Sequence, residues 1–305
     1  MCININGESS DFFRTYRGQR QGDPLSPLLF NLVSDALAAA LDSTKQAGLL
    51  TGLVPNLFPG GLTHLQYADD TIIFNPFDES LIISTKFILY YFEEMAGMKI
   101  NYHKSEVFTV GLDVSEELRA AQMLNCTIGK FPMKYLGLPI SPDKILKQEL
   151  AFLAQKMEKK LGVWSGNILS HAGRAVHINA CLSSIPSYAM GFYHLYEGIH
   201  HTFDSIRARY YWAGNKQGRK YHMVKWSDLA FTKDFGGLGL TETRTLNVAL
   251  LAKWLFKIES ADESLCTELL RKKYLQHGGV FQCSPDSLSV LVWGAQFEKM
   301  DAPGH

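Results

Sequence analysis

His64-Leu65-Gln66-Tyr67-Ala68-Asp69-Asp70-Thr71-Ile72-Ile73-Phe74 sets two neighbouring acids between two runs of β-forming residues. The pattern predicts short strands over 62–66 and 71–74 around a tight turn that carries Tyr67-Ala68-Asp69-Asp70. An unpaired carboxylate in an apolar setting costs several kcal/mol, and two arrangements avoid that cost. In one, the turn is exposed and both acids face water, as Asp-rich turns commonly do. In the other, the acids face a divalent cation. Mg2+ prefers oxygen ligands and shares its remaining positions with water and substrate phosphates. Two such ions about 4 Å apart clamp the attacking and leaving oxygens of an in-line displacement. The four residues by themselves leave both arrangements open.

Forty-six positions before Asp69 stands Asp23, within Arg20-Gln21-Gly22-Asp23-Pro24-Leu25-Ser26-Pro27. A glycine there lets backbone approach a ligand closely, and a glutamine amide can reach it. The free N–H groups of a helix start favour phosphate oxygens. The same residues also suit a plain turn into a helix, with Asp23 or Ser26 as cap. The helix itself is marked by Leu25, Leu28, Leu29, Leu32, Val33, Ala36, Leu37, Ala40 and Leu41, the stripe of one buried face, with Pro24 and Pro27 in its first turn. A hairpin is predicted from 2–5 and 12–16 around Asn6-Gly7-Glu8-Ser9-Ser10. A helix over 80–95 ends at Gly97, and 98–100 with 107–110 return to strand composition. Further on, 115–124 reads as helix, 131–140 as an apolar hairpin and 143–161 as a Lys-rich amphipathic helix. Helices are also expected over 171–183, 202–212, 245–258 and 265–274, with loops at 215–221 and 234–239. No internal repeat is present. The fold class expected is α+β, a small mixed piece followed by a helical one.

The 305 residues allow two modest domains. Apolar residues at 46% and charged residues at 20% are ordinary globular values, which excludes disordered, collagen-like and fibrous chains. Thirty basic and thirty acidic residues cancel, but only in sum. Residues 1–129 hold 8 Lys+Arg against 15 Asp+Glu, residues 130–230 hold 14 against 6, and residues 231–305 hold 8 against 9. The basic middle can attract a polyanion whatever the total. Cys2, Cys126, Cys181, Cys266 and Cys283 are odd in number and widely spaced, the pattern of buried thiols in a reducing interior. The opening residues lack a signal peptide's basic and apolar regions. No stretch approaches the roughly 20 apolar residues of a membrane span. The expectation is an intracellular protein, nuclear or cytoplasmic, with no membrane partner and no oligomeric state that the sequence specifies.

Taken together, 17–31 (Arg17 to Asn31), 64–71, Gly97-Met98-Lys99-Ile100-Asn101 and Lys104-Ser105-Glu106 resemble the reverse transcriptase of non-LTR, LINE-type retrotransposons, in the same order and at similar spacing. Lys134-Tyr135-Leu136-Gly137, Leu169-Ser170-His171-Ala172-Gly173-Arg174, Phe235-Gly236-Gly237-Leu238-Gly239-Leu240 and residues 247–254 resemble plant elements of this kind. The resemblance implies a partial palm over 1–110, a linker and primer-grip-like hairpin over 111–142, a basic helical thumb-like domain over 143–275 and a tail over 276–305.

That family adds a nucleotide to a DNA primer on an RNA template with two Mg2+ ions, so the implied partners are RNA template, DNA primer, their RNA–DNA duplex and dNTP. By resemblance Asp69 is the main metal ligand and Asp70 a second, less demanding carboxylate. Tyr67 lies near the primer terminus, and Gln21 and Gly22 contact template and nucleotide. Lys104 stands near the incoming triphosphate, and Tyr135, Leu136 and Gly137 belong to the primer grip. The family's further aspartate lies in a strand motif several tens of residues before Gln-Gly-Asp-Pro. Only twenty residues precede Gln21, and Asp11 lacks that pattern. The expectation is therefore a fragment without the third carboxylate, inactive by itself; the alternative is a non-catalytic nucleic-acid-binding remnant or a degenerate retroelement product.

In the basic middle, Lys144, Lys147, Lys156, Lys159 and Lys160 lie along one helical stretch. Arg207, Arg209, Lys216, Arg219, Lys220 and Lys225 cluster with Tyr210, Tyr211, Trp212, Tyr221 and Trp226. Cations among aromatics suit a nucleic-acid groove, while the same rings can close a helix-bundle core; the resemblance to a thumb favours nucleic acid. Cys266, His277 and Cys283 lack zinc-site spacing. Gly236-Gly237-Leu238-Gly239 lacks the setting of a dinucleotide loop and reads as a tight turn. His200-His201 reads as a surface pair.

Overall fold

Asn6 and Gly7 adopt positive φ values of 52° and 92°, the two-residue loop that Asn-Gly favours. It pairs β1 (Asn4–Ile5) with β2 (Glu8–Ser9) in antiparallel register. The second strand thus follows the turn at once, and 12–14 are not strand: a two-residue loop fixes the partner as the next residues in the chain. The computed structural model describes residues 2–14, 22–163, 169–213, 222–260 and 262–275. The chain divides into two units, Met1–Gly129 and Lys130–His305.

In the first unit α1 (Ser26–Gln46) carries Pro27 in its first turn, and β3 (His64–Tyr67) pairs antiparallel with β4 (Asp70–Ile73). Helix α2 (Glu79–Ala96) starts where the Asp78 carboxylate accepts the Ser80 and Leu81 amides and stops at Gly97, φ 65°. Leu37, Leu41, Leu50 and Ile88 form the small core between α1 and α2. The expected buried stripe of α1 holds only in part. Leu28 and Leu32 remain 65% and 67% exposed, because the core of this unit reaches α1 only from Leu37 onward.

Strand β5 (Glu106–Val107) and β6 (Thr127–Ile128) pair in parallel, joined through α3 (Val114–Leu124). An Asp113/Glu116 capping box opens α3 and Asn125, φ 55°, closes it. Residues 98–100, expected as strand, are not: the Glu93 carboxylate accepts the Ile100 amide at 2.6 Å, taking the donor a ladder would need.

The second unit begins with β7 (Met133–Tyr135) and β8 (Leu138–Ile140), antiparallel around Leu136-Gly137. The rest is helical: α4 (Phe152–Val163), α5 (His171–His177), α6 (Ser187–Met190), α7 (Glu197–Ala213), α8 (Trp226–Leu229), α9 (Thr243–Glu259) and α10 (Leu265–Leu270). Leu150, Leu153, Met157 and Leu161 interlock with Ile199, Phe203, Ile206 and Tyr210, two stripes spaced three and four apart. The long helix expected over 143–161 is broken. Leu146 is extended and Glu149 reaches back to its amide, so a 3-10 turn (Lys147–Leu150) precedes α4. Likewise α5 widens into a π turn (Ile178–Leu182), within which Asn179 donates to the Gly239 carbonyl and accepts the Thr241 amide, both at 2.9 Å.

The Gly-Gly-Leu-Gly stretch is the tight turn expected, and its reason is steric. A Cβ on Gly237 would lie 2.0 Å from the Phe231 carbonyl oxygen. Leu238 and Gly239 then donate to the Leu229 and Phe231 carbonyls at 3.0 and 2.8 Å. Asn247 is buried and fully engaged, donating to the Met190 and Tyr193 carbonyls and accepting the Leu195 amide.

Candidate active site and nucleic-acid face

Tyr67 and Asp70 form the closing pair of β3 and β4, so Ala68 and Asp69 alone turn the chain. Ala68 takes φ 52°, which costs an alanine on the order of 1–2 kcal/mol. The whole tip from Tyr67 to Asp70 is exposed. At the other end of the hairpin His64 shares a 3.1 Å contact with the Thr63 hydroxyl. Burial lowers the affinity of His64 for a proton, Asp42 of α1 opposes that shift and Lys45 adds to it. The hairpin is thus anchored at its base against α1 and presents its acids to solvent.

Two adjacent exposed carboxylates fit one hard divalent cation whose other ligands are water and substrate oxygens. Among the described residues no group of three His, Cys, Asp or Glu side chains could hold a metal. Asp69 and Asp70 supply two carboxylates of the oxygen type such a cation takes, fewer than a two-ion clamp needs.

Gln21 lies outside the described residues. Gly22 takes φ 87° with open space where a side chain would stand. Asp23 accepts the Leu25 amide at 2.9 Å in the turn before α1; the N-cap position is Leu25 and no side chain caps it, so the expectation of Asp23 or Ser26 as cap is corrected. Lys104 is exposed on a turn in which Asn101 receives its amide. Tyr135 pairs with Leu138, and Leu136 and Gly137 take φ 48° and 84° at the tip of the β7–β8 hairpin. The Tyr193 hydroxyl holds that hairpin through the Pro139 carbonyl at 2.5 Å.

On the helical unit the structure separates cations that the sequence groups together. Lys156, Lys159 and Lys160 are exposed on one face of α4, three and four residues apart. Arg209 is 63% exposed and meets Glu158 of α4 at 3.1 Å, on a different flank of that helix from the three lysines. Arg207 is a correction. It is 1% exposed, donates to Asp204, Ser183 and the Thr241 carbonyl, and lies 5.5 Å from the Trp226 ring, so it has no free face for a phosphate.

Tyr210 and Tyr211 are corrected in the same way, since both are buried in the core rather than lining a groove. Lys216, Arg219, Lys220 and Tyr221 lie outside the described residues, as do His277 and Cys283. His200 is not a surface residue: it is buried against the Thr243 hydroxyl at 2.9 Å, while His201 is exposed. The described cysteines are free, and Cys2 and Cys266 are exposed where buried thiols were expected.

Arg244 gathers Glu197, Asp204 and Glu242 at 2.6 to 3.1 Å. Burial pushes the Glu242 carboxyl up, but the Thr245 amide and hydroxyl and the Arg244 guanidinium outweigh it and hold it at about 2. This network ties α7 to α9 and spends its charges internally. A different group, Tyr188, Phe192, Lys253 and Trp254, escapes a reading of local composition because α6 and α9 meet only in space. The Lys-Trp pair at the end of the 247–254 motif is its one trace in the sequence. Among the described residues no helix is long and apolar enough to cross a membrane.

Residues 1–140 match the family model for reverse transcriptase (RNA-dependent DNA polymerase), a span that ends with β8. Over 137 residues, 45% of the chain, it is 30% identical to an Arabidopsis thaliana protein described as a ribonuclease H protein, covering 22% of that relative. It is 32% identical over 111 residues, 36% of the chain, to an uncharacterized mitochondrial protein of Arabidopsis thaliana, and covers 72% of it. A third relative is the retrovirus-related Pol polyprotein from a type-2 retrotransposable element of Drosophila melanogaster. Identity there is 32% over 152 residues, 50% of this chain and 13% of the polyprotein. The chain thus spans about a fifth of the first of these relatives.

Proposed function

Because this chain belongs to the reverse transcriptase family of non-LTR retrotransposons, we propose that its β3–β4 hairpin is the metal-binding arm of an RNA-directed DNA polymerase. The family uses divalent metal ions, a nucleic-acid template and dNTP. The observation that carries the reading is the exposed Asp69-Asp70 pair on a tip that forces Ala68 to φ 52°. Asp69 is the main ligand and Asp70 the second carboxylate. A bound Mg2+ would supply positive charge for a nucleotide's phosphates. Tyr67, opposite Asp70 in the ladder, is exposed beside that pair and is assigned to the primer terminus. Gln21, Gly22 and Lys104 are assigned to template, nucleotide and triphosphate, and Tyr135, Leu136 and Gly137 to the primer.

Residues 1–110 act as partial palm, 111–142 as connector and 143–275 as thumb-like support. Lys156, Lys159 and Lys160 face the phosphates of an RNA–DNA duplex. Free, separated cysteines fit a reducing compartment, nucleus or cytoplasm.

With only two carboxylates in the cluster, the chain is expected to bind Mn2+ yet incorporate no dNTP. Mn2+ titration followed by electron paramagnetic resonance tests the first half, and Asp69→Asn should weaken binding about tenfold or more. Wild-type Mn2+ affinity in both Asp69→Asn and Asp70→Asn would remove the assignment. Primer extension on an RNA template with Mg2+ or Mn2+ tests the second half; robust synthesis would show that the donor set is complete.

A further inference from the structure

The aromatic residues that face solvent beside cations are not those of α7 but those where α6 meets α9. Tyr188 and Phe192 are 50% and 49% exposed and stand edge to face at 5.4 Å. Phe192 lies 6.0 Å from Trp254, whose indole N–H donates to the Gly191 carbonyl at 2.8 Å. That hydrogen bond fixes the indole in place before any ligand arrives. The Lys253 ammonium lies over both rings, 5.6 Å from Phe192 and 5.4 Å from Trp254, and the Lys257 ammonium lies 5.4 Å from Trp254. Lys257 is shared with Asp262 at 3.4 Å. Lys253 has no carboxylate partner among the described residues.

We propose that Tyr188, Phe192 and Trp254, interleaved with Lys253 and Lys257, form a stacking platform for single-stranded RNA. Half-exposed rings offer a base a π-face, and an ammonium held against those rings neutralises the phosphate beside it. A strand is required rather than a duplex, because paired bases have their faces covered by neighbours and expose only edges. The positive charge of the patch selects a polyanion. The choice of RNA over DNA rests on the template assigned under the proposed function; the stacking and the charge do not.

The test is fluorescence anisotropy of a labelled 12-nucleotide RNA with the full chain. Phe192→Ala should weaken binding about tenfold. Lys253→Gln should flatten the plot of log affinity against log salt by about 0.7, one single-strand phosphate contact. Both side chains are exposed, so both variants should melt with the wild type. A strand of the same length without bases should bind far more weakly. Wild-type affinity in a stably folded Phe192→Ala, or equal binding of the base-free strand, would overturn the platform. Tighter binding of the same sequence as DNA would overturn the choice of RNA. A parallel titration with RNA–DNA duplex separates this proposal from the previous one: Phe192→Ala should leave duplex binding unchanged, and loss of the α4 lysines should weaken it.

Discussion

Tyr67 faces Asp70 across the last rung of the β3–β4 ladder, leaving Ala68 and Asp69 as the whole turn. The acids that define the candidate site are therefore held by backbone geometry and not by side-chain partners. Ala68 at φ 52° bears the conformational cost of that geometry.

Replacing Ala68 by Gly should relieve that cost. Gly loses some of the gain to its larger unfolded-state entropy, so the net expectation is a stabilisation of about 0.5–1 kcal/mol. Ala68→Val, β-branched at a positive φ, should destabilise by more than about 1 kcal/mol. Thermal melts of the three proteins decide it, and a glycine variant less stable than wild type would contradict the strained turn.

Arg207 and Arg209 are two residues apart and should behave oppositely. Arg207→Ala leaves Asp204 without one of its cations in a mostly buried network and should cost about 3 kcal/mol or more. Arg209→Ala breaks an exposed pair with Glu158 and should cost less than about 1 kcal/mol. Urea titration of both variants is the measurement. Similar losses would mean that Arg207 is not the buried member.

Asn247 holds three backbone groups of residues 190–195. Asn247→Leu keeps the volume and abandons all three, leaving buried donors and acceptors unmade at about 1–3 kcal/mol each before relaxation. The expected loss is at least about 2 kcal/mol, read from the urea midpoint. A neutral result would mean that water or repacking satisfies the loop.

Burial lowers the pKa of His64, His177, His194 and His200 below the ordinary imidazole value. For groups whose folded pKa is depressed, the unfolded chain takes up protons first as pH falls. Stability is thus full above about 6.5 and declines below it. A second loss belongs to Glu242, at about 2 in the folded protein and near 4.5 when free. Its contribution is present above about 4.5 and disappears as pH falls toward 2. Melting temperature measured from pH 8 to 3 should show a plateau, a decline beginning near 6.5 and a steeper one below 4.5. A melting temperature that rose between pH 7 and 5 would reverse the histidine assignment.

Lys156, Lys159 and Lys160 share one exposed face of α4. If they contact duplex phosphates, the triple alanine variant should flatten the salt dependence of RNA–DNA duplex binding by about 0.9 per contact, close to three in all. Filter binding at several salt concentrations measures the slope; an unchanged slope would take the duplex off this face.

Local pattern determined a good deal here by itself. Asn6-Gly7 specified a two-residue turn, the acid pair marked the β3–β4 bend, Asp113 and Glu116 opened α3 and Gly97 closed α2. Each rests on a few bonded neighbours, whose dihedral preferences and reach the chain carries wherever it folds. Tertiary structure alone decided that Arg207 is buried while Arg209 is not, that His200 leaves the surface and His201 stays on it, and that Leu28 and Leu32 continue an apolar stripe into solvent. Neighbouring helix positions point about 100° apart, and which of them is covered depends on elements tens of residues away. The aromatic group at Phe192 and Trp254 exists only where α6 meets α9, a contact set by packing that no short window of sequence contains.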